Sequence, residues 1–175
     1  MTFLKKNMHD RVSLPKRANL EATTVNKNEI LIDLSESPMT KIGKEEFVQQ
    51  SFPQKVFSAI WEVESEVNNG GFSQYFSNES AESASFVVKA LETIGAPETA
   101  NICRRAIDIA FPKGLLRSVE AIQSAASSFS EDVLDRLEAL DQEFLSYPHN
   151  LTDLLFDYVN QHSDEFGKLP EPDDA

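Results

Sequence analysis

From Gln54 onward the apolar positions of the chain return at roughly 100° per residue, the spacing of a helix face. Over Gln54–Val67 the residues Val56, Phe57, Ile60, Trp61, Val63 and Val67 fall on one arc. Phe86, Val87, Ala90, Leu91 and Ile94 form the next, within Ala84–Ile94, and Gly95 stops it. Pro97 suits the first turn of a following helix. Its inner face is Ile102, Cys103, Ala106, Ile107, Ala110 and Phe111, with Asn101, Arg104 and Asp108 opposite. Pro112 and Gly114 break the chain, and Ser118–Phe129 carries a weaker stripe of Ile122, Ala125, Ala126 and Phe129. Ser130 then caps a helix with Glu131 and Asp132 against its N-terminal dipole. The core face of that helix is Val133, Leu134, Leu137, Leu140, Phe144 and Leu145. Tyr147-Pro148 ends it. Asn150 or Thr152 caps the last helix, with Leu151, Leu154, Leu155, Tyr158, Val159 and Phe166 inward.

The start of the chain lacks this rhythm. Residues 1 to about 28 are polar with no sustained period and read as an arm, and Glu29–Ser35 (EILIDLS) reads as an extended segment or small strand. Lys44–Gln50 is a candidate start for the first helix, with Pro53 resetting the chain. The expectation is an all-α fold: a single-domain bundle of six to seven helices over 45–166, a mostly irregular arm at 1–44, and an acidic tail at 167–175.

Charge changes the picture more than composition does. The 175 residues hold 16 Lys and Arg against 29 Asp and Glu, a formal net charge of −13. The imbalance is local. Residues 1–44 carry 8 bases and 5 acids, a net of +3, whereas 118–175 carry 2 bases and 14 acids, a net of −12. A field of that sign repels nucleic acid and anionic lipid and attracts basic partners, so neither direct nucleic-acid contact nor membrane attachment is expected. The single cysteine, Cys103, excludes an internal disulfide. It fits a reducing compartment and, with no apolar h-region near the N-terminus, a cytoplasmic location.

Catalytic signals are sparse. His9, His149 and His162 lie far apart, so no metal-ligand spacing arises and no cofactor is expected. His162 falls on an apolar arc and reads as a core histidine with a satisfied ring nitrogen. Cys103 reads as a small hydrophobe rather than a thiolate. Glu64 and Asp141 are more pointed, because each sits within an apolar arc, where a carboxylate is costly unless paired or hydrogen-bonded. Together they could form an acid/base pair. Separately each could cap a turn or meet an arginine such as Arg104 or Arg105, and that reading is preferred because no histidine, metal set or phosphate loop accompanies them. The remaining acids repeat on helix exteriors: Glu131, Asp135 and Glu138 on one helix, with Asp132 beside them, and Asp153, Asp157 and Asp164 on the next. Like charges at i, i+4 cost a helix only about 0.2–0.5 kcal/mol. Two such stripes could form one sheet of charge.

Residues 66–76, EVNNGGFSQYF, need a separate account. A phosphate loop would want a nearby base, yet the nearest are Lys55 and Lys89, with Glu62, Glu64 and Glu66 close by. The stretch reads as a helix–helix corner. Val67 ends a helix, and one of Asn69, Gly70 or Gly71 takes the left-handed conformation. Phe72, Tyr75 and Phe76 return to the core, while Asn68 and Gln74 satisfy freed backbone groups. EVNNGGFSQYFSN (66–78), followed by ALETIGA (90–96), RAIDIAFPKG (105–114), LEALDQEFL (137–145) and LLFDYVNQHSDEF (154–166), resembles in order and spacing a bacterial family named for a DNA-mimic protein. The resemblance implies a helical fold. It also implies a non-enzymatic protein whose acidic surface, presented by a homodimer, occupies the DNA-binding face of a transcription factor or another basic protein. The face expected here is Glu131, Asp132, Asp135, Glu138, Asp153, Asp157 and Asp164. An immunity- or antitoxin-like protein that neutralises a toxin is the alternative.

Overall fold

The computed structural model describes residues 26–170. The expected arm residues before Asn26 and the last five residues of the acidic tail lie outside the described residues. Eight α-helices follow one another: α1 (Lys27–Glu36), α2 (Phe52–Ser77), α3 (Val87–Thr93), α4 (Pro97–Ala110), α5 (Val119–Ala126), α6 (Glu131–Leu145), α7 (Leu151–Gln161) and the single turn α8 (Ser163–Phe166). Two short 3-10 helices, Phe47–Gln49 and Glu79–Ser83, sit between them. The described residues contain no strand. The all-α expectation holds, with one helix more than its upper count because the last helical stretch splits at His162 and α1 forms in the segment read as extended.

Glu29–Ser35 is therefore helical, and the cause is local. Asn26 accepts the Glu29 N–H at 2.9 Å while the Glu29 carboxylate reaches back to the Asn26 N–H at 3.5 Å, a capping box that starts α1. Ile30, Leu31 and Leu34 then lie at i, i+1 and i+4 and are all buried, a helical rather than alternating set. The chain after α1 is tied down as well. The fully buried Thr40 hydroxyl donates to carbonyls at the end of α1, and Gln54 of α2 accepts from the Lys41 N–H (3.1 Å) and donates to the Met39 carbonyl (2.9 Å). The candidate helix over Lys44–Gln50 shrinks to the Phe47–Gln49 turn, and Pro53 takes its place in the first turn of α2.

Helix α2 is the axle. It packs against α3, α5, α6, α7 and the Glu79–Ser83 turn, while α4 bridges α3 and α6, and α1 lies on α7. Side-chain oxygens cap α2 (Ser51), α5 (Ser118), α6 (Ser130) and α7 (Asn150), as the sequence expects for the last two. Rings fill the centre: Phe76 meets Phe111 edge-on at 5.1 Å and Tyr75 at 5.3 Å, and Phe72 meets Phe144 edge-on at 5.7 Å. Two residues assigned inward leave the core. Leu134 is 41% exposed and Leu145 36%, because α6 buries only the narrow row Leu137, Leu140 and Phe144 between α2 and α4.

Candidate functional site

The corner at 66–76 is a kink inside one long helix. The helical path of α2 continues past Val67 and breaks at Gly70 and Gly71, and Gly71 has φ +75°. An L side chain there would be strained, and its Cβ would lie 2.2 Å from Asp141 Oδ2. Asp141 is close because it caps the kink: Oδ1 accepts the Phe72 N–H at 2.8 Å. One of the donors freed where the second half of α2 begins is thus met by a carboxylate from α6. Burial raises the Asp141 carboxyl above its usual range, and the Phe72 N–H opposes the rise.

The other residues of the motif staple the bend. Asn68 donates to the Glu64 carbonyl at 2.8 Å, and its amide lies 2.8 Å (Nδ2) and 3.0 Å (Oδ1) from the Tyr147 hydroxyl. Tyr147 reaches it from a left-handed backbone at φ +50°, uncommon for a non-glycine residue. Gln74 does not serve a backbone group as expected. It donates to Glu66 Oε2 at 2.6 Å, and Asn78 donates to the same oxygen at 2.8 Å. Gly70 leaves room for that arrangement, since a Cβ there would lie 2.2 Å from Gln74 Oε1. Phe72, Tyr75 and Phe76 are buried, as expected, and the Tyr75 hydroxyl lies 2.9 Å from Ser83 Oγ. Asn69 is exposed and helical, so Gly71 alone takes the left-handed turn.

The structure gives Glu64 and Asp141 different surroundings. Asp141 is taken up by the kink, whereas Glu64 lines a slot between α1, α2 and α7 whose walls do not include Asp141. Among the described residues neither carboxylate meets an arginine. Arg105 instead clamps Glu143 with two bonds of 2.6 and 2.9 Å, tying α4 to α6, and Arg104 meets Glu92 of α3 at 2.6 Å. Cys103 is buried, and burial pushes its thiol far above the usual range, away from thiolate chemistry. His162 is half-buried, with Nδ1 2.8 Å from the Tyr158 carbonyl. Among the described residues no group of three His, Cys, Asp or Glu could hold a metal ion.

One acid escaped the sequence pattern. Glu62 lies on α2 beside Val63, and its Oε2 is sealed from solvent with no hydrogen-bond partner among the described residues. Burial raises its carboxyl to about 8, against the opposing Ser83 hydroxyl and with the charges of Glu82 and Glu66 adding to the rise. Ser83 and Glu82 act on Glu62 from the Glu79–Ser83 turn, which packs against α2, a contact that the period of α2 alone does not reveal.

The acidic stripes stand where periodicity puts them. Glu131, Asp132, Asp135 and Glu138 are exposed along α6, Asp157 on α7 and Asp164 on α8 are exposed, and Asp153 is half-exposed. Asp132 has Arg136 at 3.7 Å, and Asp153 and Asp157 have Lys27 of α1 at 2.8 and 4.0 Å. Among the described residues no ion pair holds Glu131, Asp135, Glu138 or Asp164. Helix α6 packs mainly on α2 and α4, and α7 on α1 and α2, so the stripes are carried on helices that share α2 as neighbour.

Comparison with protein families settles the kinship of this stapled, acidic bundle. A family model described as DMP19-like protein, DMP19 being DNA mimic protein 19, matches residues 49–162. The chain belongs to the DMP19-like family. The match runs from the turn before α2 to the end of α7 and includes the kink and the α6 stripe. Neither the curated proteins nor the solved structures yield a match. No helix among the described residues is long and apolar enough to cross a membrane.

Proposed function

We propose that this member of the DMP19-like family is a non-enzymatic binding protein that presents duplex-like negative charge to the DNA-binding face of a basic protein, such as a transcription factor. The observation that carries the reading is the exposed stripe of Glu131, Asp135 and Glu138, which has no ion-pair partner among the described residues, on a helix buried by only a narrow apolar row. Four residues of helix rise about 6 Å, close to two phosphate steps of one DNA strand at about 3.4 Å each. Asp132, Asp153, Asp157 and Asp164 extend the face, and a homodimer would double it. The conclusion also rests on what the suspected catalytic carboxylates are doing: Asp141 caps a kink, and Glu64 lines a slot whose walls do not include Asp141.

Immobilised protein should capture basic DNA-binding proteins at low salt, and the complex should weaken steeply as salt rises, because exposed charges at this spacing are screened beyond about 8–10 Å. Capture that ignores salt would overturn the reading. A salt-sensitive partner that binds no DNA would favour the toxin-neutralising alternative.

A further inference from the structure

The slot lined by Glu64 combines an indole, a carboxylate and an aliphatic floor. Leu31 and Ile32 of α1 and Leu155 of α7 supply the aliphatic surface, Trp61 and Glu64 of α2 the recognition groups, and Asn68 a polar rim. Its volume is about 230 Å³. Sites for drug-sized molecules run from about 300 Å³ upward, so the slot suits one side chain rather than a cofactor. The Trp61 ring is stacked on Phe57, with centroids 5.8 Å apart and 10° between planes. Asn68 is fixed by the Glu64 carbonyl and Tyr147. Glu64 has no cationic partner within 4 Å among the described residues.

We infer that this slot receives an arginine side chain of the basic partner, with the guanidinium stacked on Trp61 and paired with Glu64. Each part of an arginine has a counterpart here. The methylene stem covers Leu31, Ile32 and Leu155, since long cationic side chains bury their stems readily. The planar, weakly hydrated guanidinium prefers an aromatic face and a carboxylate fork, which a compact, strongly hydrated ammonium does not. Burial raises the Glu64 carboxyl above its usual range, with the Tyr147 hydroxyl opposing, so an incoming cation would relieve a carboxylate poorly solvated in the free protein. The position also fits. Thr152, which lines the slot, adjoins Asp153 in α7, and Asn28 adjoins Lys27 in α1, so the slot lies one residue along each helix from the Lys27–Asp153 ion pair. The stripes would supply long-range attraction and the slot a point of register, a division common at charged interfaces.

The identity of the arginine's donor rests on the proposed function, but the slot is testable without a partner. Trp61 is the only tryptophan of the chain, so its indole N–H gives a single resonance in a ¹⁵N-correlated spectrum of the full chain. Titration with Nα-acetyl-arginine amide should shift that resonance saturably in the millimolar range, while the uncharged isostere Nα-acetyl-citrulline amide leaves it in place. Glu64→Gln keeps the shape and removes the charge, and should weaken the arginine probe about tenfold or more, the usual weight of a hydrogen bond to a charged group. An equal response to citrulline, or no saturable response to arginine, would overturn the inference on the unaltered protein, whatever the variant does. Arginine binding without salt-sensitive capture would leave the slot standing and remove the DNA-mimic face. Capture without arginine binding would remove the slot alone.

Discussion

At the residue scale, the kink gives the sharpest expectation. Gly71 combines a positive φ with an Asp141 oxygen 2.2 Å from where a Cβ would stand. Gly71→Val should therefore cost about 1–3 kcal/mol from backbone strain, with further loss as Asp141 is pushed off the Phe72 N–H. Denaturant unfolding measures this, and an unchanged midpoint would contradict the stapled-kink account. Glu62 gives a second expectation. Its folded carboxyl sits near 8, above the ordinary 4.5. The folded protein therefore holds a proton that the unfolded chain releases. That contribution is complete below about pH 4.5 and is lost as the pH climbs through 8. Its full size is of order 3–5 kcal/mol at most. Glu62→Gln should flatten this fall, so that the variant is more stable than the parent above pH 8 and little different at pH 4.5. Thermal unfolding across that range would show it, and a parallel pH dependence in both proteins would refute it.

Among elements, α1 and the long bent α2 separate what the sequence showed from what it hid. The bundle from α4 to α7 was legible because each helix carries an apolar stripe of the right period and a cap or breaker at its ends, as with Ser130 and Asn150. Helix α1 was missed because its apolar residues cluster in five positions, where a short buried helix and a strand look alike. The Asn26–Glu29 capping box was the signal that could have decided it. The kink was legible as a bend but not as a bond, because its cap, Asp141, comes from a helix 69 residues away. The same distance explains Asp141 and Glu64 as candidates: an acid on an apolar arc announces that something receives it, not what. Helix α1 also carries a functional expectation. Lys27 is the tie that neutralises Asp153 and Asp157, and the hydrogen bond to Asp153, with the charges of both carboxylates, raises its own ammonium above the usual range against an opposing desolvation. Lys27→Gln should free both acids, strengthen capture of basic partners at low salt, and speed hydrogen exchange in α1. Weaker capture would mean that the lysine contacts the partner rather than masking the face.

For the whole molecule, rigidity and charge are divided between faces. The kink, the Arg105–Glu143 clamp and the ring cluster hold α6 against α2 and α4, so the outer row of α6 is presented on a fixed scaffold. Exposed charges away from these contacts do little for stability. Reversing Glu131, Asp135, Glu138 and Asp164 to lysine should consequently leave the fold intact and abolish partner capture; a variant that unfolds, or that still binds, would separate the acids from the role proposed for them. The most direct measurement of the central claim is displacement. Basic proteins captured on the immobilised chain at low salt are challenged with duplex DNA at constant ionic strength. If the acidic face stands in for a duplex, DNA releases them and the four-lysine variant captures none. If they stay bound while saturated with DNA, the two ligands use different surfaces and the protein is not a DNA mimic.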